Sequence, residues 1–371
     1  MHAPADSEPD AKAVRAGVGG AVGRRTSDRR RALWIPGLAL VLLGMVIVAL
    51  GVGPVAMDPV TVARIVLAHL GVPVGDADWS AAQEVIVWNL RVPRVLLGAV
   101  VGAGLAAAGA ALQAMVRNPL AEPYLLGISS GASTGAAALI LFGFGVSAGV
   151  YSLTVSAFAG ALVSAAGVFA IARSGGRLTS VRMLLSGVAV GYALSATTSF
   201  LLFAAPASDQ AGTQAVLFFM LGSLVRAEWA SLWVVAGVVV GMLLLLTAWG
   251  RRLDALTIGD DTSLSLGVSP TRLRLHLLVV VSLGVGALVA VSGGIGFVGL
   301  VMPHLGRRIV GAGHRLLVPV SALCGATFLV IADALARVVI APTELPIGVL
   351  TAVVGVPFLL TLVRQLDPYD A

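Results

Sequence analysis

Apolar residues in this chain gather into long runs separated by short polar breaks, unlike the alternating stripes of a soluble core. The runs cover residues 34–52, 94–115, 124–145, 148–172, 182–204, 230–249, 272–293, 296–310, 316–340 and 347–363. Most approach the ~20 residues that a helix needs to cross the hydrocarbon core of a bilayer. They predict an all-α integral membrane fold with about ten transmembrane helices. The 296–310 run is the shortest and carries Pro303. A further stretch, 211–224, is too short to span and predicts a re-entrant or surface helix.

The flanks read differently. Residues 1–33, polar and rich in Ala, Gly and Arg, are expected to form a disordered cytoplasmic tail, and 365–371 a short C-terminal one. A cleaved signal peptide fits poorly, because the run that follows is longer than an ordinary signal core and no small-residue cleavage site comes after it. The membrane domain is then 34–364.

Composition makes the membrane reading a necessity. Of 371 residues, 58% are hydrophobic and 11% charged, where a soluble domain carries about 25% charged residues. The 45 glycines suit helices that approach closely through small side chains. Pairs four apart, at Gly98/Gly102, Gly127/Gly131/Gly135, Gly187/Gly191 and Gly237/Gly241, predict such contacts. Cys324 lies inside an apolar run, so no intrachain disulfide forms and a packing role is expected. Five scattered histidines and no Cys/His cluster give no metal site, and nothing suggests a resident cofactor or a catalytic group.

The net charge of +6 orients the chain rather than attracting nucleic acid. With ten spans and the N-terminus inside, most Arg residues fall in cytoplasmic segments, while Arg64, Arg91, Arg94, Arg226 and Arg337 fall outside. Both termini are therefore expected in the cytoplasm, by the excess of positive residues in inner loops.

The spans are nearly free of charge, and this limits the energy source. Proton-coupled transporters usually carry ionisable groups within their spans. The nearest here is Asp333, four residues before Arg337, where an ion pair on one helix face competes with a proton-relay role. Hydrolysis of ATP by this chain is excluded by its lysines. A P-loop needs Gly-Lys-[Ser/Thr] to grip the phosphates, and Lys12, the sole Lys, lies in the tail. Any nucleotide engine is a separate subunit, which needs a docking surface.

Two inner segments offer one. In 251–274, Gly259 and Gly267 bracket a predicted short amphipathic helix with Asp260 and Asp261 near its N-terminus; periodicity alone equally allows a solvated loop. The other, Arg117 to Pro123, has two prolines four apart and reads as a rigid inter-helix turn.

Several motifs then stand together: Leu90-Arg91-Val92-Pro93-Arg94, Gln113-Ala114-Met115, Asn118-Pro119-Leu120-Ala121-Glu122-Pro123 into Leu126-Gly127, Gly294 to Pro303, and Glu344-Leu345-Pro346-Ile347-Gly348. In identity and order they resemble the permease subunits of iron–siderophore and cobalamin ABC importers, over about residues 34–364. The stretches 102–119 and 286–303 faintly echo the family's internal repeat.

The resemblance implies a ten-span permease paired with a second permease subunit, with the path between them. Two cytoplasmic ATPase subunits and an extracytoplasmic substrate-binding protein complete the machine. It also implies that Arg91, Arg94 and Arg337 face carboxylates of the binding protein. By the same resemblance Gly259, Asp260, Asp261, Leu266, Gly267 and Val268 sit on the ATPase, and Asn118, Leu120, Thr179 and Ser180 narrow the inner gate. The implied cargo is a ferric siderophore, with cobalamin or haem open. A proton-coupled transporter using Asp333, or a non-transporting scaffold, are the rival classes.

Overall fold

The computed structural model describes residues 33–365 except 76–77, 145–150, 175–178 and 342. Nearly all of both predicted tails, and the facing ends of the third and fourth runs, lie outside the described residues. Among the described residues the chain is all helix and turn, with no strand. In order the helices are α1 (Trp34–Gly51), α2 (Pro59–His69), α3 (Ala81–Val116), α4 (Ile128–Phe142), α5 (Ser152–Arg173), α6 (Ser180–Ala204) and α7 (Gln210–Leu221). Then come α8 (Trp229–Ala248), α9 (Gly250–Ile258), α10 (Asp260–Ser265), α11 (Pro270–Ser292), α12 (Val298–Val310), α13 (His314–Ala336) and α14 (Ile347–Gln365).

Each predicted run carries a helix. Seven helices, α1, α3, α5, α6, α8, α11 and α13, are long and apolar enough to cross a membrane. Of the others, α4 has 15 residues and α12 has 13. Both are short because the chain breaks inside the bundle before them. A single 3₁₀ turn and Gly127 precede α4, and an irregular stretch, 293–297, precedes α12. Non-helical backbone at membrane depth is tolerated only where protein covers it. Ala121, Leu126, Gly293, Gly294 and Ile295 are accordingly buried.

α3 begins thirteen residues before the run predicted at 94. Pro93, just before that run, sits inside the helix. Proline clashes with the carbonyl four residues back and donates no hydrogen bond. The wide π-type turns of Val85–Arg91 absorb that defect. α2 and α9 were not among the predicted elements, although Asp58 caps α2 by accepting from Thr61 N at 3.1 Å.

α3 is the central helix, and α13 lies along it. Gly102 and Gly325 meet backbone to backbone, so neither has space for a side chain. Of the predicted small-residue faces, Gly131 and Gly135 pack on α5 at Gly160 and Ser156, whereas Gly237 and Gly241 face nothing within 4 Å in this chain.

Three irregular segments meet in one place. Gly294 N donates to Phe219 O at 3.1 Å, Ser223 N to Ser292 O at 2.8 Å, and Ile347 N to Gly222 O at 3.1 Å. The end of α7, the break before α12 and the start of α14 are thereby joined through main chain.

Candidate coupling and docking sites

The two charged clusters lie at opposite ends of the apolar stretch of α3. Arg94 and Arg117 are 23 positions apart, or about 35 Å along a helix rising 1.5 Å per residue, enough to cross the ~30 Å hydrocarbon core of a bilayer.

At the Arg94 end, α13 and the loop before α14 supply carboxylates. Arg94 grips Glu344 with both Nη atoms, at 3.0 and 2.8 Å, and its Nε donates to Asp333 Oδ1 at 2.9 Å. Arg337 Nε lies 3.2 Å from Asp333 Oδ2, the ion pair that the spacing suggested. Arg337 also donates to Val52 O at 2.8 Å and Ala49 O at 3.2 Å, while Arg91 donates to Leu50 O at 3.0 Å and to Val55 O. Two guanidiniums thus close the carbonyl end of α1, where the helix dipole favours cations. Arg91 and Arg337 are buried, and Arg94 nearly so. All three residues expected to face a partner are engaged within the chain. Nearby, His69 stacks on Trp88 at a centroid distance of 4.2 Å, and Trp229 lies tilted against Trp88 at 4.9 Å.

At the other end the predicted short helix is α10, and the preceding residues form α9 rather than loop. α9 buries Leu253 and Leu256 and turns Arg251, Arg252 and Thr257 outward. Gly259, the joint between the two helices, has φ +145° and Gly267 has φ +75°, conformations that L side chains rarely adopt. Asp260 and Asp261 lie in the first turn of α10, as predicted. Ile258, Leu264 and Leu266 are exposed, 66%, 49% and 61%, on an element bordered by charge. Exposed apolar side chains grouped beside charge are a feature of protein interaction surfaces. Asp261 is exposed beside them and Val268 half-buried beneath.

Asp260 instead turns inward. It takes both Nη atoms of Arg274, at 2.9 and 2.7 Å, and Arg117 at 3.2 Å. Arg274 also donates to Ser180 Oγ at 3.2 Å and Met115 O at 3.4 Å. A second tie holds α9, where Asp254 Oδ1 lies 2.6 Å from His314 Nδ1 and accepts from His314 N at 2.9 Å.

The four gate candidates fall at this end. Asn118 Oδ1 accepts from Leu120 N at 2.8 Å, fixing the turn after α3. Thr179 Oγ1 accepts from Arg182 N at 3.4 Å and caps α6, and Ser180 donates to Met115 O at 3.1 Å. Ser180 therefore belongs to the Arg274 cluster, while Thr179 faces outward and Asn118 and Leu120 are half-buried.

Arg274, Asp254, His314 and the Arg94–Glu344 fork were missed from sequence. One signal existed for Arg274. A cation in the opening turns of a helix opposes the dipole, so a specific anion was to be expected.

The model of the FecCD transport family matches residues 40–365. The chain belongs to this family. A cobalamin import system permease protein of Halobacterium salinarum is 38% identical, over 92% of this chain and 98% of that one. A hemin transport system permease protein of Yersinia pestis is 40% identical, over 77% and 86% of the two chains. An Fe(3+)-citrate import system permease protein of Bacillus subtilis is 39% identical, over 77% and 84%. A solved structure described as an inward-facing conformation of a metal-chelate type ABC transporter superposes with TM-score 0.77 at 30% identity. It covers 90% of this chain and all of that one. The FecCD chain is thus a multi-pass membrane permease, as its motifs implied.

Proposed function

We propose that this chain is the membrane-spanning permease subunit of an ATP-driven importer that takes up a ferric siderophore or related metal chelate. The observation that carries the reading is the α9–Gly259–α10 element. It presents exposed leucine and isoleucine side chains at a charged end and is tied to the bundle beneath. That is what a chain lacking its own phosphate-binding lysine needs in order to receive work from an ATPase.

In this reading two cytoplasmic ATPase subunits seat on α9–α10, and both termini are cytoplasmic in the cell membrane. A second permease subunit completes the path. α6 supports that pairing: it is as little covered by its own chain as α1, yet it is the least apolar of the seven long helices. Its uncovered residues include Ser195, Thr197 and Ser199. A lipid-facing helix has no use for such a face, but a path or a subunit seam does. Asn118, Leu120, Thr179 and Ser180 form the inner gate.

The substrate-binding protein docks at the Arg94 end. Arg91 and Arg337 brace that end, and Glu344 occupies the place on Arg94 that a partner's carboxylate would take. Proton coupling loses its motivation, since Asp333 is buried and paired with both Arg94 and Arg337.

The test is co-purification with an ATPase pair and a binding protein, identification of the ligand on the binding protein, and uptake in proteoliposomes. Uptake is expected only with ATP. Uphill transport by the isolated chain, with no nucleotide-hydrolysing companion, would refute the proposal.

A further inference from the structure

The Arg274 guanidinium is wholly buried and joins four elements. It sits on α11, forks onto Asp260 at the start of α10, and donates to Met115 O near the end of α3 and Ser180 Oγ at the start of α6. We infer that Arg274 is a positioning residue that transmits movement of α10 to the inner ends of α3 and α6. This rests on the reading of α9–α10 as the ATPase-docking element.

The two feet of that element differ in kind. α9 is fixed by packing as well as by charge. A Cβ on Gly250 would lie 2.7 Å from Arg315 N, and Asp254 holds both His314 N and its ring. α10 is flanked by Gly259 and Gly267, around which there is open space apart from the Arg117 guanidinium at 3.8 Å. Ser263 keeps it in step with α9, donating to Ala255 O at 2.8 Å. Its tie to the spans is ionic, and the fork of Arg274 on a carboxylate fixes direction as well as distance.

A displaced Asp260 therefore draws the guanidinium with it. The same guanidinium holds the first residue of α6 and the last turn of α3, three residues before Asn118. Mere stability of α11 does not call for Arg there, since the helix dipole disfavours it.

The test uses the full complex of two permeases and the ATPase pair in nanodiscs, in a Cys324→Ala background. A spin label is placed in each permease at position 185, where Leu185 is exposed on α6. Vanadate-trapped nucleotide is the probe, and pulsed EPR reads the distance between labels. Trapping should shift that distance in the otherwise unaltered chain. Arg274→Gln should still trap nucleotide but lose at least half of the shift. Arg274→Lys should recover part of it, because an ammonium reaches Asp260 as a point charge without the fork.

A full shift in Arg274→Gln overturns the inference. Should that variant fail to assemble, Ser180→Ala decides: a reduced shift with normal trapping supports transmission, and an unchanged shift overturns it. Failure of the unaltered chain to bind any ATPase would instead overturn the functional reading, and this inference with it.

Discussion

Asp333, 1% exposed, stands between Arg94 and Arg337. Removing one member of a buried ionic group leaves the others uncompensated and costs about 3–5 kcal/mol. Asp333→Asn should therefore lower the melting temperature of the purified protein by several degrees; an unchanged melting curve would show that the cluster is dispensable. Glu344 differs, because its side chain is 28% exposed. If it holds the place of a partner's carboxylate, Glu344→Gln should tighten binding-protein affinity severalfold and Arg94→Ala should weaken it, as read by surface plasmon resonance on reconstituted permease. Weaker binding with Glu344→Gln would argue against exchange at Arg94. The Asp333–Arg337 pair was legible because four residues make one helical turn. The Arg94–Glu344 fork was not, since it joins positions 250 apart and only the packed α3–α13 pair brings them together.

Among elements, the long apolar runs were legible throughout, and their interruptions less so. The apolar run begins only after Pro93, yet a π-type widening carries α3 through that proline. α9 was hidden because Arg251, Arg252 and Asp254 interrupt its apolar positions, and a helix of nine residues gives periodicity little room to show. α10 was legible from its bracketing glycines and leading aspartates. Its joint yields a prediction. At φ +145° a branched side chain is strained by about 1–3 kcal/mol, a local penalty in an otherwise open place. Gly259→Val should insert and assemble normally, while uptake per ATP hydrolysed falls severalfold. An unchanged ratio would mean that the joint plays no part in coupling.

For the whole molecule, the two charged ends fix a testable orientation. In a Cys324→Ala background, a membrane-impermeant maleimide should label Val225→Cys in intact cells and Thr257→Cys only after permeabilisation. The reverse pattern would invert the topology and move the ATPase face to the wrong side. The ends themselves were legible from the Arg distribution, whereas the burial of Arg91, Arg94 and Arg337 was not, because charge counting places a residue at an end without saying which way it points.

The meeting of α7, the break before α12 and the start of α14 bears on how such permeases diversify. A Cβ on Gly222 would meet Gly294 O, and one on Gly293, Gly294 or Gly348 would meet the carbonyl of Phe219, Met220 or Leu221, so a mutation can only add atoms that do not fit. A seam built of peptide groups gives natural variation almost nothing to edit. Adaptation to a new cargo must then be written on surfaces with side chains to spare, such as the uncovered hydroxyl-bearing flank of α6.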